Sequence, residues 1–145
     1  MATAFFAGSF DPFTIGHKSI VDRALPLFDR VIVAIGRNTA KKPWMPLDER
    51  VAAISRVYAA EPRVSVITYD GLTAEAARAY GATALLRGVR SVADFETERT
   101  LADVNRNLSG LESVLLYTLP ELASVSSSLV RELAAFGAPY AHLLP

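Results

Sequence analysis

The chain has 145 residues and a mass of 15.7 kDa, the size of one domain with room for a core. Hydrophobic residues make up 51% and charged residues 21%, which excludes a disordered chain, and 15 basic against 15 acidic residues leave no global basic field for nucleic acid or an anionic membrane. There is no cysteine, which excludes disulfides, thiolate metal sites and cysteine nucleophiles, and no apolar run nears the roughly 18 residues of a membrane span.

The N-terminal MATAFFAGSFDP has no basic leader and meets Asp11 early, so a soluble, cytoplasmic protein is the expectation. Thr3 to Ala7 reads as a first strand, closed by Gly8. His17 to Phe28 follows as a helix with Ile20, Val21, Ala24, Leu25 and Phe28 on one side. Pro26 lacks the N–H that would reach the carbonyl of Asp22, which predicts a kink or an early end. Val31 to Ile35 is a second strand, and Thr39 to Pro46 (TAKKPWMP) is the most loop-like segment. Leu47 to Ala60 starts behind Pro46 as a helix, with Asp48 and Glu49 in the first turn, where the helix dipole favours them. Val64 to Thr68 is a third strand, and Thr73 to Tyr80 a short alanine-rich helix capped by Gly81. Ala82 to Leu86 is a fourth strand, Ser91 to Leu108 the longest helix, Val114 to Thr118 a fifth strand and Ser126 to Phe136 the last helix. Several strands are apolar at consecutive positions, as strands covered on both faces of a parallel sheet are. The alternation predicts an α/β domain built from βαβ units with right-handed crossovers. In such sheets ligands bind beyond the carboxyl ends of the strands, so the chemistry should cluster there.

Gly8-Ser9-Phe10-Asp11-Pro12-Phe13-Thr14-Ile15-Gly16-His17 follows the first strand. Gly8 lets the backbone pass close to a ligand, Asp11-Pro12 shapes a turn, and Gly16-His17 opens a helix whose first amides form an anion site. A histidine in that turn either caps the helix or donates to a phosphate oxygen, and the Gly, Thr and Gly around it favour phosphate. Lys41 and Lys42 are either a solvated pair or neutralise phosphate at the same sheet edge. Arg87 and Arg90, read as following the fourth strand with Gly88 turning between them, offer planar forks for phosphate oxygens. Asp94 and Glu98 share a helix face, either as solvated charge near Arg90 or as part of the site. Of Ser126, Ser127 and Ser128, one suffices as an N-cap, which leaves two hydroxyls for outer phosphates. Trp44 and Met45 fit a core or an interface, His142 reads as structural, Tyr58 and Tyr80 as packing, and Asp103 and Glu112 as surface charge. No nucleophile–base pair, metal-ligand spacing or G-x-x-x-x-G-K-[ST] loop is evident. The pattern suits direct attack of one bound phosphate on another, driven by positioning and charge neutralisation.

The run G-S-F-D-P-x-T-x-G-H resembles the signature of the nucleotidyltransferases with a (His or Thr)-x-Gly-His motif, and more narrowly the bacterial phosphopantetheine adenylyltransferase family. The resemblance also rests on Lys41-Lys42-Pro43, Arg87-Gly88-Val89-Arg90, Asp94-Phe95-Glu96-x-Glu98, Asn105-Arg106 and Ser126-Ser127-Ser128-Leu129-Val130-Arg131-Glu132, in family order over nearly the whole chain. It implies a Rossmann-like α/β fold, an open sheet of five mainly parallel strands with helices on both faces, residues 1–145 forming a single nucleotidyltransferase domain. It implies adenylyl transfer from ATP to 4′-phosphopantetheine in coenzyme A biosynthesis, with Mg2+ entering on the ATP phosphates. By that resemblance His17, as transition-state stabiliser, Lys41 and Arg90 would be catalytic. Ser9, Lys41, Thr73 and Arg87 would hold phosphopantetheine. Ser9, Phe10, His17, Gly88, Val89, Arg90, Glu98 and the run Leu122, Ala123, Ser124, Val125, Ser126, Ser127 and Ser128 would hold ATP. The implied partners are the two substrates and coenzyme A or dephospho-coenzyme A as product or inhibitor, without nucleic acid or membrane, in a cytoplasmic homohexamer. Three competing readings are a sister nucleotidyltransferase acting on nicotinate mononucleotide or on an alcohol phosphate with CTP, a silent nucleotide or coenzyme A sensor, and a nucleic-acid module. Thr14 with the triple serine, the intact Ser9, His17, Lys41, Arg87 and Arg90, and the neutral charge count against these in turn.

Overall fold

The computed structural model describes residues 1–145. Its regular elements are β1 (Thr3–Gly8), α1 (Ile15–Ala24), β2 (Arg30–Gly36), α2 (Leu47–Val57), β3 (Val64–Tyr69), α3 (Thr73–Ala79), β4 (Ala84–Val89), α4 (Val92–Ser109), β5 (Glu112–Tyr117) and α5 (Ser127–Ala135). Short 3-10 turns at Pro120–Leu122 and Ala141–Leu143 flank α5. The five strands form one open sheet in the order β3-β2-β1-β4-β5, and every pairing is parallel.

Alternation along β1 explains the two covered faces. Ala4 and Phe6 point to one side, where they pack with Ile20, Val21 and Ala24 of α1 and Ile54 of α2. Phe5 and Ala7 point to the other side, against Ala77 of α3. A third, smaller cluster of Val125, Val130 and Leu143 seats α5. The fold is therefore a Rossmann-like α/β sheet with helices on both faces. Strand order reverses at β1, so the crevice beyond the carboxyl ends of β1 and β4 is the switch point where such sheets bind ligands.

Pro26 acts as an early stop rather than a kink: α1 ends at Ala24, with Leu25 as its C-cap. The fourth strand differs from its sequence reading. It starts at Ala84 and runs on to Val89, because Arg87, Gly88 and Val89 pair with Leu115, Leu116 and Tyr117 after the apolar run has ended. Gly88 is thus not a turn. A Cβ there would stand 3.1 Å from both Cδ1 and Cγ1 of Ile20, so the glycine lets α1 lie close against β4.

Candidate active site

The site begins with Thr14, the N-cap of α1. Its side chain accepts from the His17 backbone N–H, while the His17 Nδ1 accepts from the Thr14 N–H at 2.9 Å. This reciprocal cap fixes the tautomer, since an Nδ1 that accepts leaves the proton on Nε2. Aromatic neighbours set the ring's direction: Phe10 meets it edge-on at 5.1 Å and 88°, and Phe13 lies tilted at 5.4 Å. Burial, together with the charges of Arg87 and then Arg90, lowers the His17 pKa to about 4. His17 therefore caps the helix, as one reading of the sequence had it, and also lines the crevice. Nδ1 belongs to the cap, and Nε2 remains a neutral donor at the crevice.

Arg87 leaves the end of β4 and is partly spent on structure. Its Nε and one terminal nitrogen donate to the two oxygens of Glu98, at 2.9 and 2.8 Å, and the other terminal nitrogen donates to the Ala7 carbonyl at 2.6 Å. Arginine has five N–H donors, so two stay free for an anion. Glu98 is 8% exposed and spans α4 to β4 through this pair. Arg90, just past β4, gives its Nε to Asp94 at 3.2 Å and keeps its outer fork unpaired. Asp94 and Glu98 are thus arginine partners and not a solvated acidic stripe.

All three serines at the start of α5 have protein partners. Ser126 caps the helix by accepting from Leu129 N–H, Ser127 donates to the Pro12 carbonyl at 2.7 Å, and Ser128 accepts from Arg131 at 3.2 Å. The Ser127 bond ties the α5 terminus to the loop after β1.

Three cavities adjoin at this edge. One of about 380 Å³ is lined by Ser9, His17, Arg87, Gly88, Arg90 and the 125–128 run, with Glu98 and the Phe10 segment. A second, of about 490 Å³, holds Thr73 and the apolar Leu72, Leu101 and Val104. A third, of about 570 Å³, holds Lys41, Lys42 and Arg50. Ser9 lines all three. Lys41 therefore stands in a chamber that adjoins His17's through Ser9, Asp11 and Arg131. Thr73 bonds the Tyr69 hydroxyl at 2.8 Å. The Phe10 ring is buried against Phe6 and Phe13, which leaves its backbone as the part near the crevice. Val89, Leu122, Ala123 and Ser124 lie outside the linings of these cavities.

Sequence reasoning missed three residues here. Asp11, read only as a turn former, accepts from the Trp44 and Met45 N–H groups, at 2.8 Å each. Arg50, 7% exposed, donates to the carbonyls of Met45 and Ser9. Its signal was a charge four residues before Ile54, on the apolar stripe of α2. Arg131 donates to the Asp11 carbonyl at 2.7 Å and lines two of the cavities. His142 is an exposed residue of the last 3-10 turn, and Asp103 and Glu112 both pair with Arg106 at the surface.

A family model described as cytidylyltransferase-like matches residues 5–133. Phosphopantetheine adenylyltransferase of Phocaeicola vulgatus is 52% identical over all of this chain and 96% of its own length. That of Porphyromonas gingivalis is 55% identical over 98% of this chain and 93% of its own. The chain belongs to the phosphopantetheine adenylyltransferases, nucleotidyltransferases of the cytidylyltransferase-like family. A solved bifunctional NMN adenylyltransferase/ADP ribose pyrophosphatase from Francisella tularensis superimposes with a TM-score of 0.75 at 14% identity, over 99% of this chain and 44% of that one. A lipopolysaccharide core biosynthesis protein from Thermoplasma volcanium gives a TM-score of 0.60 at 19% identity, over 82% and 97%. These two likenesses bear on the fold alone.

Proposed function

We propose that this chain, as one nucleotidyltransferase domain over residues 1–145, transfers the adenylyl group of ATP to 4′-phosphopantetheine, forming dephospho-coenzyme A and pyrophosphate. The observation that carries the reading is the full-length likeness to relatives of that name, on a chain whose Ser9, His17 and arginines line one crevice. A phosphate oxygen of phosphopantetheine attacks the α-phosphorus of ATP while the bond from that phosphorus to the β-phosphate oxygen breaks. The attacking phosphate is already ionised near neutral pH, so no general base is needed. The His17 Nε2–H donates to an α-phosphate oxygen as charge builds there. Ser9 and Lys41 orient the attacking phosphate, and Lys41 with Arg90 offsets the charge of the in-line transition state. Arg87 uses its two free N–H groups on phosphopantetheine, with Thr73 further along the arm, and the apolar second cavity suits that arm. The Phe10 backbone, Gly88, Arg90 and the 125–128 run face ATP in the first cavity, while Glu98 acts through Arg87. Val89, Leu122, Ala123 and Ser124, outside the cavity lining, would reach ATP only at its edge.

The chain gathers no cluster of three or more acidic or histidine side chains able to hold a metal, and Asp11, Asp94 and Glu98 are each engaged by donors. On this reading Mg2+ would come in with ATP rather than in a protein cage and would supply charge neutralisation to the phosphates. No helix is long and apolar enough to cross a membrane, and the reading places the reaction in the cytoplasm. Coenzyme A and dephospho-coenzyme A are the proposed product-like inhibitors. A homohexamer is proposed too, supported by the exposed Val92, Val104 and Leu108 on α4, and sedimentation at the hexamer mass would test it. Pyrophosphate release with ATP and 4′-phosphopantetheine tests the function. Release only with CTP or nicotinate mononucleotide would reassign the substrate, and binding without turnover would make the chain a sensor.

A further inference from the structure

We infer that Asp11 is a positioning residue for the adenylyl-transfer reaction: its carboxylate clasps the loop that carries Lys41 and holds that lysine in the chamber adjoining the His17 crevice. The inference rests on the functional reading above. Asp11 is 8% exposed, and its two oxygens accept from the backbone N–H groups of two consecutive residues, Trp44 to Oδ2 and Met45 to Oδ1, each at 2.8 Å. Hydrogen bonds to an ionised acceptor are stronger and shorter than neutral ones.

The loop has little else to hold it. Lys41 and Lys42 are adjacent like charges, and Pro43 and Pro46 have no N–H to give. All the hydrogen bonds that tie residues 38–45 to the rest of the chain run to Asp11 or to Arg50. Arg50 closes the same junction from the other side, donating to Met45 at 3.1 Å and to Ser9 at 2.8 Å. The Asp11 backbone is itself anchored, since Arg131 donates to its carbonyl at 2.7 Å. Lys41 lines the same cavity as Ser9, Asp11, Arg50 and Arg131. The carboxylate thus joins the loop after β1, which carries Ser9, to the loop after β2, which carries Lys41. Asparagine cannot substitute, because its one carbonyl oxygen serves one amide and its own N–H groups face the other.

A double-mutant cycle on the whole chain tests this. Lys41→Ala should lower kcat/KM for phosphopantetheine by more than about tenfold in the parent and by less than about threefold in an Asp11→Asn background. The KM for ATP should be unchanged by Asp11→Asn. A purely structural Asp11 would leave the Lys41 factor equal in both backgrounds, and that result overturns the clasp. Amide hydrogen exchange on the unmodified protein keeps the inference testable should Asp11→Asn fail to fold. The Trp44 and Met45 amides should exchange at least about a hundredfold more slowly than an open loop, with Thr39 and Lys42 near open-loop rates. Unprotected Trp44 and Met45 amides overturn the clasp. A parent chain unable to adenylate phosphopantetheine defeats the functional reading, while amide exchange still decides the clasp. An active parent with equal factors defeats the clasp alone.

Discussion

In the free protein the His17 ring takes up a proton only near pH 4, because burial and two arginine charges oppose a third positive charge there. The unfolded chain takes up the same proton near pH 6.5. Between those values the unfolded state binds the extra proton, so stability rises with pH across that window and falls as pH drops through it. The slope is at most about 1.4 kcal/mol per pH unit. His17→Gln removes this term, so thermal melts should show a smaller loss between pH 7 and pH 5 in the variant than in the parent. An equal loss in both would mean that His17 does not titrate in this way. The same neutral ring explains the kinetic expectation. His17→Ala should fold, keep ATP affinity within a small factor and lose about 10²–10³ in turnover, the usual cost of one transition-state donor. Steady-state kinetics with direct ATP titration separates the two quantities. The place of His17 at the crevice was legible from Gly16-His17 at a helix start. Which ring nitrogen serves the cap was not, because the Thr14 amide that claims Nδ1 is met only once the turn has closed.

The contact of α1 with β4 is set by a single absent side chain. Gly88→Ala would place a methyl 3.1 Å from Ile20, which is 3% exposed and has little room to move. Overpacking of this kind typically costs about 1–3 kcal/mol, and α1 would shift outward and carry His17 with it. A lower melting temperature and lower turnover are expected together, and Ile20→Val, which removes Cδ1, should restore part of both. Unchanged stability would show that the helix yields freely. The centres of β1, β2 and β4 were legible because both their faces are buried and their apolar residues run consecutively. The end of β4 was not, since Arg87 and Gly88 look like loop residues until β5 supplies partners for their backbone. Asp11, Arg50 and Arg131 escaped for a related reason. Asp11, Arg131 and, through Ser9, Arg50 meet backbone groups tens of residues away, which local spacing does not name, although the place of Arg50 on the apolar stripe of α2 hinted at its burial.

Across the whole molecule the positive charges cancel in number but not in place. Arg87, Arg90, Arg131 and Lys41 converge at one edge of the sheet while the net charge stays at zero. A polyanion bound there bridges the loop after β1, the end of β4 and the start of α5, so it should stabilise the fold as a unit. ATP at about a hundred times its dissociation constant should add about 2.7 kcal/mol, equivalent to roughly 5–10 °C in melting temperature for a chain of this size. A melting curve indifferent to ATP would separate the fold from the proposed ligand. Strand order adds a further consequence. The central strand, β1, is made first, yet its neighbour β4 is about eighty residues downstream, and the Thr3 N–H waits for the Thr83 hydroxyl. As the polypeptide emerges from the ribosome, the loop after β1 is out early but has no floor. The crevice wall is complete only when Arg131, which donates to the Asp11 carbonyl, has left the exit tunnel, so on the proposed reading a half-made chain would not retain ATP.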